Sequence, residues 1–481
     1  MNLAAHVLFS GGAADDKLAL IVLSASRVER WSYGRLRERV LATAGGFRAA
    51  GLAKGTRVLM RLGNSPDFPI VFLGAIAAGV VPVPTSSALG ADEITKIAAD
   101  LRPEAIVAHG GIALPSGNAP ILSPDALADH PPLDAPVEAP SDAPAYIVYT
   151  SGTSGAPLGV VHAHRAILAR RMMFEGWYGL TPEDRMLHAG AFNWTFTLGT
   201  GLLDPWTQGA TALVLAEGTG PELIPLLAKR HEATILAGAP GVFRRLLRAD
   251  MPALPRLRHG LAAGEKLTEN LRKNWQDKTG TELHEAFGQS ECSTFISGSP
   301  TRPAPSGTLG YAQPGRAVAI LDGDEPVQRG EAGEIAVHAS DPGLTLGYLS
   351  RDLALRGDWF LTGDMGLMRR GGAIEYHGRT DDMLTSGGFR VSPLDVETAM
   401  MQLDGIDEAA AVDCRVSPDT TLIALHYTGR KMDDRVMAAH AEAVLARYKQ
   451  PRLFIHEQSL PRNANGKLLR KALRAANEEA T

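Results

Sequence analysis

The chain has 481 residues, 45% hydrophobic and 21% charged, a balance that can fill a large core and excludes disordered and fibrous classes. A formal net charge of -5 leaves no electrostatic footprint for nucleic acid or an anionic membrane surface. The two cysteines, Cys292 and Cys414, exclude any disulfide framework beyond one bridge and favour a reducing compartment.

The opening segment has no basic flank ahead of its apolar stretch and does not read as a signal peptide. Beyond it, Leu36, Val40, Ala44 and Phe47 recur at helical spacing, predicting a helix capped by Ser32 and ended at Gly51. Arg57–Leu62 reads as a buried strand, Asp67–Ala78 as a helix and Val80–Pro84 as the next strand, an α/β layering. The apolar run Pro69–Val83 is too short, and too interrupted by Gly and Pro, to span a membrane; a cytoplasmic protein is expected. Residues 115–144, rich in Pro, Ala and Asp, read as a loose surface connection. Ala145–Thr150 resumes as a strand. The middle third alternates apolar segments such as TALVLA and ATILAG with helical ones, and LRHGLAAGEKL reads as strand, loop and helix. From about Leu309 short strands predict a β-rich subdomain, and beyond Asp381 a small unit with a helix near Arg435–Leu445 follows. The fold class is α/β. A large N-terminal domain, residues 1–380, combines layered α/β subdomains with the β-rich one; residues 381–481 form a small α+β domain.

Four segments carry chemistry. TSGTSGAPLG, Thr150–Gly159, follows a strand; its glycines let the backbone turn and expose N–H groups, and its hydroxyls add donors suited to polyphosphate. It is not a Walker loop, because the Gly-Lys-Ser/Thr ending is absent. AFGQSE, Ala286–Glu291, puts a flat ring, a hydroxyl and a carboxylate in sequence, a set able to stack a base and hold Mg2+. WFLTGDMG places Asp364 in a tight turn where a carboxylate can accept from ribose hydroxyls, and Arg379, Gly387 and Gly388 follow. PRNANGKLLRKALR sets Lys467 after an Asn-Gly turn and before a basic helix. Each segment alone also reads as an ordinary loop, turn or surface charge.

In this order, together with LAAGEKL, GTLGYAQPGRAVAILD, GEIAV and GYL, the segments resemble the adenylate-forming superfamily: acyl- and aryl-CoA synthetases, luciferases and peptide-synthetase adenylation domains. The resemblance covers nearly the whole chain. It implies an AMP-forming ligase that activates a carboxylic acid with ATP and passes the acyl group to CoA. It further implies that Thr150, Ser151, Gly152, Thr153, Ser154 and Gly155 wrap the β- and γ-phosphates and that Glu291 ligates Mg2+. Ser290 would contact acyl or phosphate oxygens, and Asp364 and Arg379 the ribose. Phe287 and Tyr376 would line the adenine slot with Gly264 and Glu265. Lys467 would bridge the attacking carboxylate and the α-phosphate. The small domain would then turn about a hinge at Asp381, exchanging Lys467 for the Gly387–Gly388 segment, with Thr385–Arg390 walling the pantetheine tunnel.

The chain departs from the family pattern in places. Ser154 and Ser290 stand where Thr is usual, Phe287 where Tyr is usual, and Leu158 where the phosphate loop usually has Lys. Acetate-using relatives carry Trp at the position of Gly288, so glycine there implies an open pocket and a larger acid, aryl, alicyclic or medium-chain. Phe192, Asn193, Trp194, Gly238, Ala262 and Gln289 are expected around that acid, although core packing explains Phe192 and Trp194 equally well. His162 and His164 share a strand face but have no evident third ligand, so they are expected to be structural. Cys292 is expected to be a packed residue and not a nucleophile. The acceptor is expected to be CoA, with a carrier-protein thiol as the alternative and a non-catalytic nucleotide-binding relative as a third reading. A homodimer is compatible with the sequence.

Overall fold

The computed structural model describes residues 1–151, 157–386, 389–417, 420–462 and 468–480. It divides into two compact units, residues 1–317 with 337–360, and residues 318–336 with 361–481.

The first unit is built on a parallel run of strands: Leu18–Leu23, Thr211–Leu215, Arg185–His188, Ile235–Gly238, His259–Ala263 and Glu282–Gln289, neighbours in that order. Both faces of this run are buried, which is why its strands read as continuous apolar segments in the sequence. Leu261 and Ala263 pack on one face with Trp177 and Phe196, while Ala262 packs on the other with Leu271 and Trp275. Antiparallel strand Ser293–Ser297 follows Glu282–Gln289 at the edge nearest the AFGQSE segment. A second, all-parallel sheet joins Val81–Pro84, Arg57–Arg61, Ala105–Ala108 and Ile121–Leu122. A hairpin, Pro144–Ser151 with Pro157–Ala163, takes Gly347–Tyr348 as a third strand.

Helix Tyr33–Ala49 begins with Ser32 Oγ accepting from Arg35 N–H, and Gly51 beyond its end has φ +77, as its spacing predicts. The 115–144 segment is not loose. Leu133 N–H donates to the Leu41 carbonyl at 3.1 Å and Val137 N–H to Ala77 at 2.8 Å. The carbonyls of Pro131 and Leu127 occupy the space that a Cβ on Gly45 and Gly46 would fill. Two adjacent glycines in a helix made that close approach available.

In the second unit, Trp359–Met368 and Ala373–Arg379 form an antiparallel pair, and Leu384–Ser386 pairs with Phe389–Val391. Ile406–Ser417 and Thr420–Gly429 run antiparallel, with Leu453–His456 parallel to the latter. Alternate residues of AAAVDC face opposite layers. Ala409 and Ala411 pack with Val396, Met400 and Met437 of helices Pro393–Met400 and Asp434–Val444; Ala410 and Val412 pack with Leu473 of helix Arg470–Ala480.

Candidate active site

In the first unit the hairpin that carries the Thr150 loop is tied to the AFGQSE turn. Thr345, just before the third strand of that hairpin, donates its N–H to the Glu291 carbonyl at 2.7 Å and its hydroxyl to Val161 O at 2.6 Å. Tyr348 on that strand donates its hydroxyl to Glu291 Oε1 at 3.0 Å. Burial, reinforced by the Glu291 carboxylate, pushes the Tyr348 phenol up to about 12, so it stays a donor at neutral pH. His162 of the hairpin stacks on Tyr146 at 4.7 Å, and its ring hydrogen-bonds the Ser290 backbone. Burial lowers the imidazole to about 4, so it is neutral and structural. His164 Nδ1 accepts from Leu3 N–H at 3.1 Å, which settles it as structural too. Among the described residues no group of three or more His, Cys, Asp or Glu side chains could hold a metal ion.

Thr150 and Ser151 end the Pro144–Ser151 strand, paired with Leu158 and Pro157. Gly152, Thr153, Ser154 and Gly155 lie outside the described residues, as do Gly387, Gly388 and Lys467. AFGQSE is a strand through Gln289 that turns at Ser290–Cys292, with Phe287 edge-on to Phe295 at 5.4 Å. Cys292 is fully buried and its thiol is pushed well up by burial, which removes it as a nucleophile.

Gly288 corrects one expectation. An added Cβ there would overlap the Ser293 carbonyl and Thr294 Cα across a bulge, so this glycine faces a neighbouring strand and not an open pocket. Gly288→Trp is therefore expected to part the strands instead of shortening a pocket, costing at least the ~1–3 kcal/mol typical of overpacking. A melting temperature equal to that of the unmodified protein would contradict this.

The expected acyl-wall residues separate. Trp194 and Gly264 meet: Gly264 has φ +95, and an added Cβ would stand 2.7 Å from the Trp194 ring. Trp194 lies edge-on to Phe196 at 5.2 Å, and Phe196 edge-on to His188 at 4.5 Å. Asn193 is half-buried beside them. Phe192 is 1% exposed and packs on Phe68 at 5.3 Å, joining the core. Gly238 pairs with Ala262, and an added Cβ there would meet Val242 at 3.3 Å; Ala262 lies on the face away from Trp177 and Phe196. Glu265 accepts from Arg244 Nη2 at 3.1 Å.

In the second unit Asp364 is not in a tight turn. It lies in the Trp359–Met368 strand, directly paired with Arg379, and is 3% exposed. Gly363 at φ +73 gives the local sequence its turn-like composition, but inward residues alternate through the strand. Asp364 Oδ1 accepts from the Tyr376 hydroxyl at 3.0 Å and Oδ2 from Arg379 Nη1 at 3.3 Å. Arg379 Nε also donates to Asp381 Oδ1 at 3.2 Å. Burial first, then the Asp364 charge, raises the Tyr376 phenol well above its usual range. Arg390 lies in the Phe389–Val391 strand, paired with Thr385. Later in the chain than Lys467, Arg470 grips both Glu397 oxygens at 2.6 and 2.9 Å, and Arg474 reaches Asp382 Oδ1 at 3.2 Å.

In the first unit, sequence patterning does not reveal the interior charges beside the Ser290–Cys292 turn, Arg170 with Asp204 and Arg316 with Asp341, or the buried Glu285 of the Glu282–Gln289 strand. An Asp inside the apolar run GLLDPW was the one available signal. Glu285 is 3% exposed, accepts from Leu267 N–H at 2.7 Å, and burial pushes its carboxyl up from 4.5 to about 7. With the folded value above the unfolded one, the folded state holds the extra proton. Its contribution to stability is full below pH 4.5 and is lost as pH rises through about 7, about 3 kcal/mol in all. Glu285→Gln is expected to flatten the fall in melting temperature between these limits; parallel profiles would contradict it.

A model of the AMP-binding enzyme family matches residues 11–349. Benzoate–CoA ligase of Thauera aromatica is 30% identical over 486 residues, covering 93% of this chain and 91% of that protein. Acyl-coenzyme A synthetase ACSM2, mitochondrial, of Rattus norvegicus is 28% identical over 492 residues, covering 93% and 85%. Among solved structures, a benzoate CoA ligase from Burkholderia xenovorans LB400 is similar with a TM-score of 0.87 and 25% identity, covering 98% and 100% of the two chains. ATP-bound MatB from Rhodopseudomonas palustris shares the fold at a TM-score of 0.90, 24% identity and 100% of both chains. The chain belongs to the AMP-binding enzyme family and is an acyl-CoA ligase of the AMP-forming class. Among the described residues no helix is long and apolar enough to cross a membrane.

Proposed function

We infer that the protein joins an aryl, alicyclic or medium-chain carboxylic acid to coenzyme A in two steps. A carboxylate oxygen attacks the α-phosphorus of ATP and pyrophosphate leaves. The CoA thiol then attacks the adenylate carbonyl, and AMP leaves with the bridging oxygen. The observation that carries this reading is the half-buried Glu291 carboxylate, held by one neutral donor at 3.0 Å beside the hairpin of the Thr150 loop. Glu291 forms no ion pair with an arginine or lysine among the described residues. Such a hard oxygen fits Mg2+, which takes one or two carboxylates together with phosphate oxygens and water. When bound, that ion would draw charge from the phosphate oxygens.

The chain's own residues would do the rest. The Thr150–Gly155 loop would donate to the β- and γ-phosphates, and Ser290 to acyl or phosphate oxygens. By the family resemblance, Phe287, Gly264, Glu265 and Tyr376 would contact the adenine. Asp364, a buried carboxylate that accepts from Tyr376 and Arg379, would also accept from the ribose hydroxyls. Lys467 would neutralise the two approaching anions, and residues 381–481 would then turn about Asp381 to bring the Gly387–Gly388 segment and Arg390 to the pantetheine. Trp194, Asn193 and Gln289 would face the acid. The aromatic group of Trp194, Phe196 and His188 supports a ring or chain over acetate, as do relatives named for benzoate and 3-hydroxybenzoate. Two buried thiols suit a reducing, cytoplasmic setting.

The test is a hydroxamate and pyrophosphate-release screen over aliphatic, alicyclic and aromatic acids, with and without CoA. An aromatic or medium-chain acid should give CoA-dependent AMP release. Adenylate without a CoA response would favour a carrier-protein thiol. Leu158, paired with Thr150 where a lysine is usual, favours a second reading, a nucleotide binder without turnover. Pyrophosphate exchange at background with every acid would select it.

A further inference from the structure

The turn that carries Glu291 is gripped by two interior arginines that the two-step reading leaves without a task. Arg170 is 6% exposed and its partner Asp204 is fully buried. Arg170 Nε and Nη2 donate to the two Asp204 oxygens at 2.8 and 2.6 Å, and the Tyr178 hydroxyl adds a third donor at 2.6 Å. The remaining Arg170 nitrogen, Nη1, donates to Ser293 Oγ at 2.6 Å. Arg316 and Asp341 are buried completely, joined at 2.8 Å. Arg316 Nη2 and Nη1 donate to the carbonyls of Cys292 and Thr294, each at 2.9 Å. Both guanidiniums occupy space that a side chain would take. An added Cβ on Gly199 would overlap Arg170, and one on Gly343 would stand 2.8 Å from Arg316 Nη2.

Between these grips sits Ser293 at φ +59, a left-handed conformation that a non-glycine residue adopts only when its surroundings hold it there. The adjoining Gly288–Ser293 approach is so close that only glycine fits at 288. The strain lies two residues after Glu291. A buried ion pair cannot shift without leaving a charge uncompensated, so each arginine is a fixed anchor.

We propose that the Arg170–Ser293 contact and the Arg316 carbonyl clamp position the Glu291 carboxylate for a divalent cation, making Arg170, Arg316 and Ser293 positioning residues for metal–nucleotide binding. The proposal rests on Glu291 being the metal ligand. Glu291 itself is steadied by Tyr348 and by Thr345 N–H, so its aim depends on the backbone that follows it. Mg2+ demands near-octahedral placement of its ligands, and a small displacement of that backbone weakens it.

Ser293→Gly separates positioning from stability, because glycine relieves the left-handed strain while deleting the hydroxyl that Arg170 holds. Binding of Mn2+ with ATP to the full chain is measured by electron paramagnetic resonance, and of ATP alone in a chelator by calorimetry. Ser293→Gly and Ser293→Ala are expected to weaken the Mn2+-dependent binding about tenfold, the loss of one charge-assisted hydrogen bond. Metal-free ATP binding should stay within about twofold, and Ser293→Gly should melt no lower than Ser293→Ala, because it alone relieves the left-handed strain. Unchanged Mn2+-dependent binding in Ser293→Gly, or an equal loss without metal, overturns the clamp. Glu291→Gln distinguishes the underlying reading. If it binds Mn2+ with ATP as the unmodified protein does, Glu291 is not the ligand and the proposal falls with it. If it loses metal dependence while Ser293→Gly keeps it, the clamp alone is wrong.

Discussion

Replacing Lys467 with alanine is expected to slow acyl-adenylate formation on the order of 10²–10³-fold, the loss typical of one transition-state charge donor. A chemically supplied acyl-adenylate should still react with CoA at close to the unmodified rate. The asymmetry follows from the charges. In the first step two anions approach one another, and an ammonium between them offsets their repulsion. In the second, a thiol attacks a neutral carbonyl, and no such screen is needed. Rapid-quench measurement of the two half-reactions separates the cases, and equal losses in both would remove Lys467 from this role. The helix that follows is well anchored for delivering a side chain. Arg470 holds Glu397 through both oxygens, and Arg474 holds Asp413 at 2.6 Å as well as Asp382.

The second large effect is expected at Asp364. Its carboxylate is 3% exposed, accepts from Tyr376 and Arg379, and is fixed in a strand by direct pairing with Arg379. Hydrogen bonds from the ribose hydroxyls to this carboxylate would each contribute about 1.5–3 kcal/mol if it is charged and about 1 kcal/mol if neutral. Asp364→Ala should therefore raise the KM for ATP on the order of 10²-fold or more while leaving the KM for the acid nearly unchanged. A parallel rise in both constants would point to general disruption instead of a lost ribose contact. Asp364→Asn, which keeps the shape and removes the charge, should fall between the two.

Much of the fold was legible because local chemistry and burial agree. Ser32 and Gly51 bracket their helix in sequence and in space, and the fully buried parallel strands appear as unbroken apolar runs. Asp364 was misplaced because Gly363 in WFLTGDMG suggests a turn, whereas alternate burial through the segment marks a strand. The 115–144 segment looked loose by composition, yet its carbonyls rest on Gly45 and Gly46 of a distant helix. In the sequence, Gly288 is indistinguishable from absent bulk in a pocket; only the direction of its missing Cβ reveals the close approach of a neighbouring strand. The interior ion pairs were illegible for a different reason. Arg170 and Asp204 are separated by 34 positions and Arg316 and Asp341 by 25, and neither lies on a periodic face that pairs them. Of the site, the residue types were readable, while the supports that aim them were not.

In the proposed two-step reaction, an oxygen of the acid becomes an oxygen of AMP. Incubating the enzyme with ATP, CoA and an aromatic acid carrying 18O in its carboxylate, then taking the mass of the AMP, tests this directly. Adenylation predicts one labelled oxygen in each AMP released, with unlabelled pyrophosphate. Unlabelled AMP, or label appearing in inorganic phosphate beside ADP, would contradict it.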